Sequence, residues 1–102
     1  MNPAITINPA EAARLLKRAA DCKLPASGLH VLCAISAAEE GTLTMTSTAR
    51  ATGLSCAGIT GIADRLQARG LVRRSLSRSD FRVIWLEITD RGRETLAKIL
   101  RP

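Results

Sequence analysis

Aromatic side chains are nearly missing from this 102-residue sequence, since Phe81 and Trp85 make up the whole 2%. A platform that stacks the bases of RNA or single-stranded DNA needs several exposed rings, so the composition excludes that class of protein. Apolar residues still make up 46% of the chain, enough to favour a folded domain over disorder. The core must therefore be aliphatic, built from Leu, Ile, Val and Ala.

Cysteine and histidine are also scarce. Cys22, Cys33 and Cys56 are an odd number without a CxxC pair, and His30 has no Cys or Glu at metal-ligand spacing. We therefore expect no metal site and no cofactor. We also expect that the protein is not an enzyme, because the sequence offers no positioned base, no phosphate-cradling glycine loop and no paired carboxylates. With no signal peptide and no apolar run near 20 residues, the sequence predicts a cytoplasmic protein with reduced thiols and no membrane partner.

Positive charge is concentrated in one part of the chain. The net charge is +6, yet residues 1–40 are neutral, whereas residues 41–86 carry seven basic groups, all Arg, against Asp64 and Asp80. Arginine binds phosphate and guanine with two parallel hydrogen bonds, so double-stranded DNA is the expected partner. A solvated basic face is the alternative interpretation of the same charges.

Apolar periodicity and capping residues predict a mainly α fold with a small β-hairpin, a winged helix-turn-helix in the order α-α-α-α-β-β-α. Asn8, Thr44 and Ser55 are expected to cap the first, third and fourth predicted helices, and Gly41 ends the second. The later helices are predicted at about 27–40, 45–51, 56–69 and 91–100, and the strands at 71–76 and 83–88. We expect an N-terminal arm over 1–8 and a single winged-helix DNA-binding domain over 9–102, with the helix-turn-helix at 44–70 and the wing at 71–88.

Gly53, Leu54 and Ser55 suit the sharp turn before a recognition helix, whose exposed half carries small residues. The hairpin tip, with Asp80 between two arginines, suits insertion into the minor groove, although a solvated polar turn would have the same composition. The predicted DNA-binding residues come from the third helix, the fourth helix and the wing. They are Thr44, Thr46, Ser47, Arg50, Ser55, Cys56, Ala57, Gly58, Thr60, Gly61, Arg65, Arg73, Arg74, Arg78, Ser79 and Arg82.

The pattern of Gly53-Leu54-Ser55, Asp64-Arg65-Leu66, Gly70 to Arg74, Asp80-x-Arg82 and Ile88-Thr89-x-x-Gly92 resembles the winged-helix core of MarR-type transcriptional regulators. The resemblance implies a dimeric regulator, a repressor in the simplest mechanism, with the fourth helix in the major groove and Arg82 in the minor groove. It also implies a possible small-molecule effector.

Three positions depart from the family pattern. Gly61 replaces a common basic residue, Phe81 replaces a second wing Arg, and the chain stops at Pro102, before the long C-terminal dimerisation helix of such proteins. We therefore expect a short form whose homodimer forms through the terminal helices or the apolar arm.

Two other functions fit the same residues. A winged helix with a small, neutral recognition face could bind a partner protein instead of DNA. Cys56, in the first turn of the predicted recognition helix, could make the regulator redox-responsive, because a helix N-terminus favours a thiolate.

Overall fold

The computed structural model describes residues 8–77, 79–80 and 82–101. The predicted N-terminal arm lies almost wholly outside the described residues. The elements are α1 (Pro9–Asp21), α2 (Ala26–Ala37), a 3-10 turn (Glu39–Gly41), β1 (Thr42–Thr44), α3 (Met45–Thr52), α4 (Cys56–Ala68), β2 (Val72–Leu76), β3 (Ile84–Ile88) and α5 (Asp90–Leu100). This is a winged helix-turn-helix, so the predicted fold class is confirmed.

Four helices begin at a side chain that accepts a hydrogen bond from the backbone two or three residues into the helix. Asn8, Thr44, Ser55 and Thr89 cap α1, α3, α4 and α5 respectively. Each cap satisfies one backbone N–H that has no partner within the helix, and contributes about 1 kcal/mol. The helix starts are therefore fixed by local sequence.

The end of α2 and the strand count differ from the sequence prediction. Helix α2 stops at Ala37, because Ala38 adopts an extended conformation and Glu40 has a positive φ of 59°. The chain then enters β1, which the sequence predicted only as an extended link. Strand β1 pairs antiparallel with β3, with Leu43 opposite Leu86, and the sheet order is β1-β3-β2.

The core is aliphatic, as the composition predicts. Its centre is α2, where Val31, Leu32 and Ile35 have no exposed surface. Ile59 of α4 and Leu86 of β3 are equally buried. Because α2 packs against α1, α3, α4 and α5 as well as the sheet, this one helix holds the recognition helix and the wing on a common support.

The start of α5 lies on the turn that follows α4. Thr89 donates its hydroxyl to the carbonyl of Gly70 at 2.6 Å, and its backbone N–H to the carbonyl of Leu71 at 3.1 Å. Gly92, the third residue of the helix, is buried against the same Leu71 carbonyl. This contact fixes α5 at the base of the wing.

Across the described residues, no helix combines the length and apolarity that a membrane span requires.

Candidate nucleic-acid interface

Helix α4 has one buried and one exposed face. Ile59, Ile62, Ala63 and Leu66 face the core. The exposed face of its N-terminal half carries the predicted recognition residues Ser55, Cys56, Ala57, Gly58 and Thr60, with Gly61 half-buried. Small side chains on this face allow a close approach of the helix backbone to a binding partner.

The two hydroxyl groups on this face are engaged within the helix. Ser55 Oγ accepts a hydrogen bond from the Gly58 N–H at 3.0 Å, and Thr60 Oγ1 donates to the Cys56 carbonyl at 3.0 Å. Ser55 therefore acts as a helix cap. It retains its O–H to donate to a ligand, whereas Thr60 retains only acceptor capacity. In this arrangement Ser55 can donate a hydrogen bond to a phosphate or a base, whereas Thr60 can only accept one from a base donor.

Helix α3 supplies a polar edge beside α4. Thr44 Oγ1 accepts a hydrogen bond from the Ser47 N–H at 3.0 Å, while Thr46 and Arg50 are exposed. The turn between the two helices depends on Gly53, whose φ of 74° lies in the left-handed region that favours glycine. Thus the predicted helix-turn-helix forms with its predicted caps.

The wing carries Arg82 on an ordered turn. The Asp80 carboxylate accepts from the Arg82 backbone N–H at 3.0 Å and from Arg82 Nε at 3.1 Å. These hydrogen bonds, the side-chain one first, lower the pKa of Asp80 from its usual value. The Arg82 side chain is 91% exposed, so the pair orients the guanidinium without covering it. Arg78, the other predicted cation of the tip, lies outside the described residues.

A shallow groove of about 290 Å³ separates the start of α3 from the wing. Its lining residues include Thr44, Thr46 and Arg82, three of the predicted DNA-binding residues. Residues from distant parts of the chain therefore line one groove. Ser79, another predicted DNA-binding residue, is exposed and precedes Arg82 by three residues in the sequence. Its hydroxyl oxygen is 3.0 Å from that of Ser77.

The two arginines at the wing base are held in ion pairs. Arg73 bonds Glu87 at 2.8 Å on the adjacent strand. Arg74 bonds Asp64 of α4 at 2.6 Å. The sequence predicted both as phosphate contacts but did not foresee these partners. Strand alternation was the available signal, because it puts Arg73 on the face of Glu87 and Arg74 on the face of Val72.

The remaining arginines of the helix-turn-helix differ in their engagement. Arg69 donates to the carbonyls of Cys22 and Lys23 at 2.6 and 2.7 Å. Arg50 and Arg65 are exposed and form no ion pair within the described residues. These two side chains are thus the cations of α3 and α4 that remain available to an anionic partner.

The cysteines lie in different surroundings. Cys56 is exposed at the first position of α4, as predicted. Cys33 is half-buried against the core, and burial raises the pKa of its thiol. Within the described residues no cluster of three or more His, Cys, Asp or Glu side chains could hold a metal ion.

The fold and the exposed α4 face define a winged helix-turn-helix protein. The sequence model of the MarR family matches residues 24–84, more than half of the chain. The chain therefore belongs to the MarR family, as the sequence resemblance indicated. Comparison with curated proteins finds no match.

Solved structures of related proteins share the fold. AbsC, a MarR family transcriptional regulator from Streptomyces coelicolor, is 27% identical with a TM-score of 0.78, over 88% of this chain and 61% of AbsC. CouR from Rhodococcus jostii RHA1, solved with p-coumaroyl-CoA, is 28% identical with a TM-score of 0.72, over 88% of this chain and 65% of CouR. Sco3205, a MarR family regulator from Streptomyces coelicolor in complex with DNA, is 24% identical with a TM-score of 0.76, over 87% of this chain and 59% of Sco3205. The chain thus spans less than two thirds of the length of each.

Proposed function

We propose that the protein is a DNA-binding transcriptional regulator that inserts α4 into the major groove and Arg82 into the adjacent minor groove. One observation carries the proposal: the exposed, small-residue half of α4 lies beside a wing whose Arg82 guanidinium is oriented by Asp80 and open to solvent. An α-helix fits the major groove of B-form DNA, and arginine favours the narrow minor groove. Membership of the MarR family supports the same function.

Phosphate contacts would supply most of the affinity. Arg50 and Arg65 are available cations on α3 and α4, and the exposed Thr46 and half-buried Thr44 line the groove beside Arg82. Because Ala57, Gly58 and Gly61 cannot form bidentate hydrogen bonds to bases, direct readout would be modest. Sequence preference would then depend largely on DNA shape and on contact with thymine methyl groups. Repression by covering a promoter is the simplest outcome of such binding.

We also propose a homodimer that forms through α1 and α5. These helices pack together, and Leu16 and Leu100 are 48% and 49% exposed although both are large and apolar. A dimer would bury these leucines and present two α4 helices to a near-palindromic site. Sedimentation equilibrium that gives the monomer mass at micromolar concentration would remove this part of the proposal.

An effector site is a further part of the proposal. An open cleft of about 800 Å³ lies between the end of α4 and α5, and its lining includes Arg69, Arg91 and Lys98. Glu94 also lines the cleft, so the three cations outnumber the one carboxylate, and the net positive charge would suit an anionic small molecule. CouR, which matches this chain, was solved with the anionic ligand p-coumaroyl-CoA. If p-coumaroyl-CoA at millimolar concentration leaves the melting temperature unchanged, that ligand class loses its support.

The DNA-binding proposal is tested by fluorescence anisotropy on a random-sequence duplex across a salt series. Removing a phosphate contact lowers the slope of log affinity against log salt by about 0.9. We expect Arg65→Ala and Arg82→Ala to weaken binding and to lower this slope. Arg69→Ala is the control, since it removes the same charge from the residue that follows α4, whose side chain is bonded to the carbonyls of Cys22 and Lys23.

Two results would contradict the proposal. If the wild-type protein binds no duplex at low salt, the protein–protein module becomes the better function, which the small and uncharged face of α4 would suit. If it binds but Arg65→Ala and Arg82→Ala leave affinity and slope unchanged, the assigned surface is wrong.

A redox-responsive regulator is the second candidate, because Cys56 is exposed at the first position of α4. Oxidation there would add bulk or charge at the proposed DNA surface. Peroxide should then weaken DNA binding by the wild-type protein and not by Cys56→Ser, and an equal response of both proteins would dismiss this candidate.

A further inference from the structure

Arg74 reaches from β2 across the side of α4. Its Nη1 lies 2.6 Å from Asp64 Oδ1 and donates to Gln67 Oε1 at 3.1 Å, while Nη2 donates to the Thr60 carbonyl at 3.2 Å. Thr60, Asp64 and Gln67 have the spacing of neighbours on one helix face. A single guanidinium from the wing therefore holds about two turns of α4.

The neighbouring arginine makes a different kind of contact. Arg73 pairs with Glu87, its direct partner in the β2–β3 register. That pair joins two strands that the sheet already connects. The Arg74–Asp64 pair joins β2 to α4, and the Arg74 side chain is only 25% exposed, against 68% for Arg73. Arg74 is thus packed between two elements, whereas Arg73 lies on the sheet surface.

The position of β2 relative to α4 sets the position of the wing tip. Strand β2 leads to the tip and is paired with β3 from Val72 to Leu76, so the hairpin moves as one piece. A contact that fixes β2 against α4 consequently fixes Arg82 relative to the exposed face of α4. A displacement of about 1 Å would be enough to misalign a base contact.

Arg74 also neutralises a carboxylate on α4. The Asp64 side chain is 61% exposed and lies next to Arg65 in the sequence. An unpaired carboxylate there would repel DNA phosphates. In the observed arrangement the pair contributes no net charge to the surface, although the sequence suggests that Arg74 adds to the positive field.

We propose that Arg74 is a positioning residue that, through Asp64, sets the recognition helix relative to the wing and so determines discrimination between DNA sequences. The inference rests on the DNA-binding function proposed above. It assigns no phosphate contact to Arg74. The two roles differ in what they change: a phosphate contact raises affinity for every duplex, whereas a positioning contact raises affinity for the preferred duplex alone.

The test uses a duplex selected by the wild-type protein from a random library, and a shuffled duplex of the same composition. The two roles predict opposite changes in DNA affinity for Asp64→Asn. If charge alone matters, removing a carboxylate tightens binding to both duplexes. If Asp64 anchors Arg74, binding to the selected duplex weakens, and the ratio of the two affinities falls roughly tenfold, the cost of about one mismatched base pair.

Two further variants complete the design. Arg74→Lys keeps the charge but loses the planar guanidinium group that contacts three acceptors. We expect the same roughly tenfold fall in the affinity ratio. The double variant Asp64→Asn with Arg74→Gln keeps the net charge, and we expect it to lower the ratio no further than the single variants, with the salt slope unchanged. Arg73→Lys is the matched control and should keep the wild-type ratio.

The outcomes separate the inference from the proposed function. A salt slope reduced by about 0.9 in the double variant, with both duplexes weakened equally, would make Arg74 a phosphate contact and overturn the inference. An unchanged affinity ratio in Arg74→Lys, at a wild-type melting temperature, would overturn it as well. Failure of the wild-type protein to bind either duplex would instead refute the DNA-binding function on which the inference rests.

Discussion

Replacing Gly92 by alanine should destabilise the fold strongly, although alanine is the better helix former. A methyl group at this position in the first turn of α5 would overlap the backbone carbonyl oxygen of Leu71 and would lie 2.7 Å from Ile88 Cγ1. The carbonyl cannot rotate away as a flexible side chain would, because it accepts a hydrogen bond from the Thr89 N–H. The start of α5 must therefore move off the turn.

The size of the loss follows from these contacts. Overpacking a core position costs about 1–3 kcal/mol. Moving α5 would also strain the two hydrogen bonds of Thr89 to Gly70 and Leu71, each worth about 1 kcal/mol. The helix propensity of alanine offsets about 1 kcal/mol. We expect a free energy of unfolding lower by about 3 kcal/mol, which for a domain of this size is a fall in Tm of roughly 12–24 °C.

Gly61→Ala is the matched control, because the nearest atom to the added methyl group is Arg65 Nη1 at 3.9 Å. With no overlap, the propensity gain of about 0.8–1 kcal/mol should raise Tm by roughly 3–8 °C. Thermal unfolding followed by circular dichroism measures both variants. A Gly92→Ala protein that melts within 1 °C of wild type, or two variants that shift in the same direction, would refute the argument.

Two further predictions concern titratable groups. Cys56 should react with iodoacetamide several-fold faster than Cys33, because Cys56 is exposed whereas burial covers Cys33 and raises its thiol pKa. Peptide mass spectrometry measures both rates. Equal rates would contradict the environments assigned to the two thiols. The pKa of Asp80 should lie below the ordinary value of about 3.9, since Arg82 stabilises the carboxylate. The stabilisation is then complete above about pH 5, where the carboxyl is ionised in the unfolded chain as well, and is lost as the pH falls through the lowered folded pKa. Carboxyl NMR titration of wild type and Arg82→Ala should show the midpoint rise in the variant, and an unchanged midpoint would count against the pair.

Local chemistry explains what the sequence predicted well. The starts of the helices could be read because a capping side chain and the backbone N–H that donates to it are three residues apart. Asn8, Thr44 and Ser55 all form the predicted caps. Gly53 was likewise predicted at a turn whose positive φ requires it. These features depend on a few neighbouring residues, so no knowledge of the tertiary structure was needed.

Features that depend on distant residues were missed. Strand β1 has three residues, too short for an alternation pattern, and its pairing with β3 is decided more than 40 residues later in the chain. The early end of α2 follows from the same requirement, because the chain must turn to bring Leu43 opposite Leu86. Apolar spacing alone carried the predicted helix to Glu40.

Counting charges along the sequence does not show which arginines are bonded within the fold. The sequence assigns Arg73 and Arg74 the same role, yet they point to opposite faces of β2 and meet Glu87 and Asp64. Arg69 is bonded to backbone carbonyls of the α1–α2 connection. Much of the arginine in the helix-turn-helix and wing therefore stabilises the arrangement of α4, β2 and α1. In a DNA-binding protein built this way, those arginines would influence affinity through geometry. Arginines such as Arg50 and Arg65, which are exposed and form no ion pair within the described residues, would contribute most directly to its salt dependence.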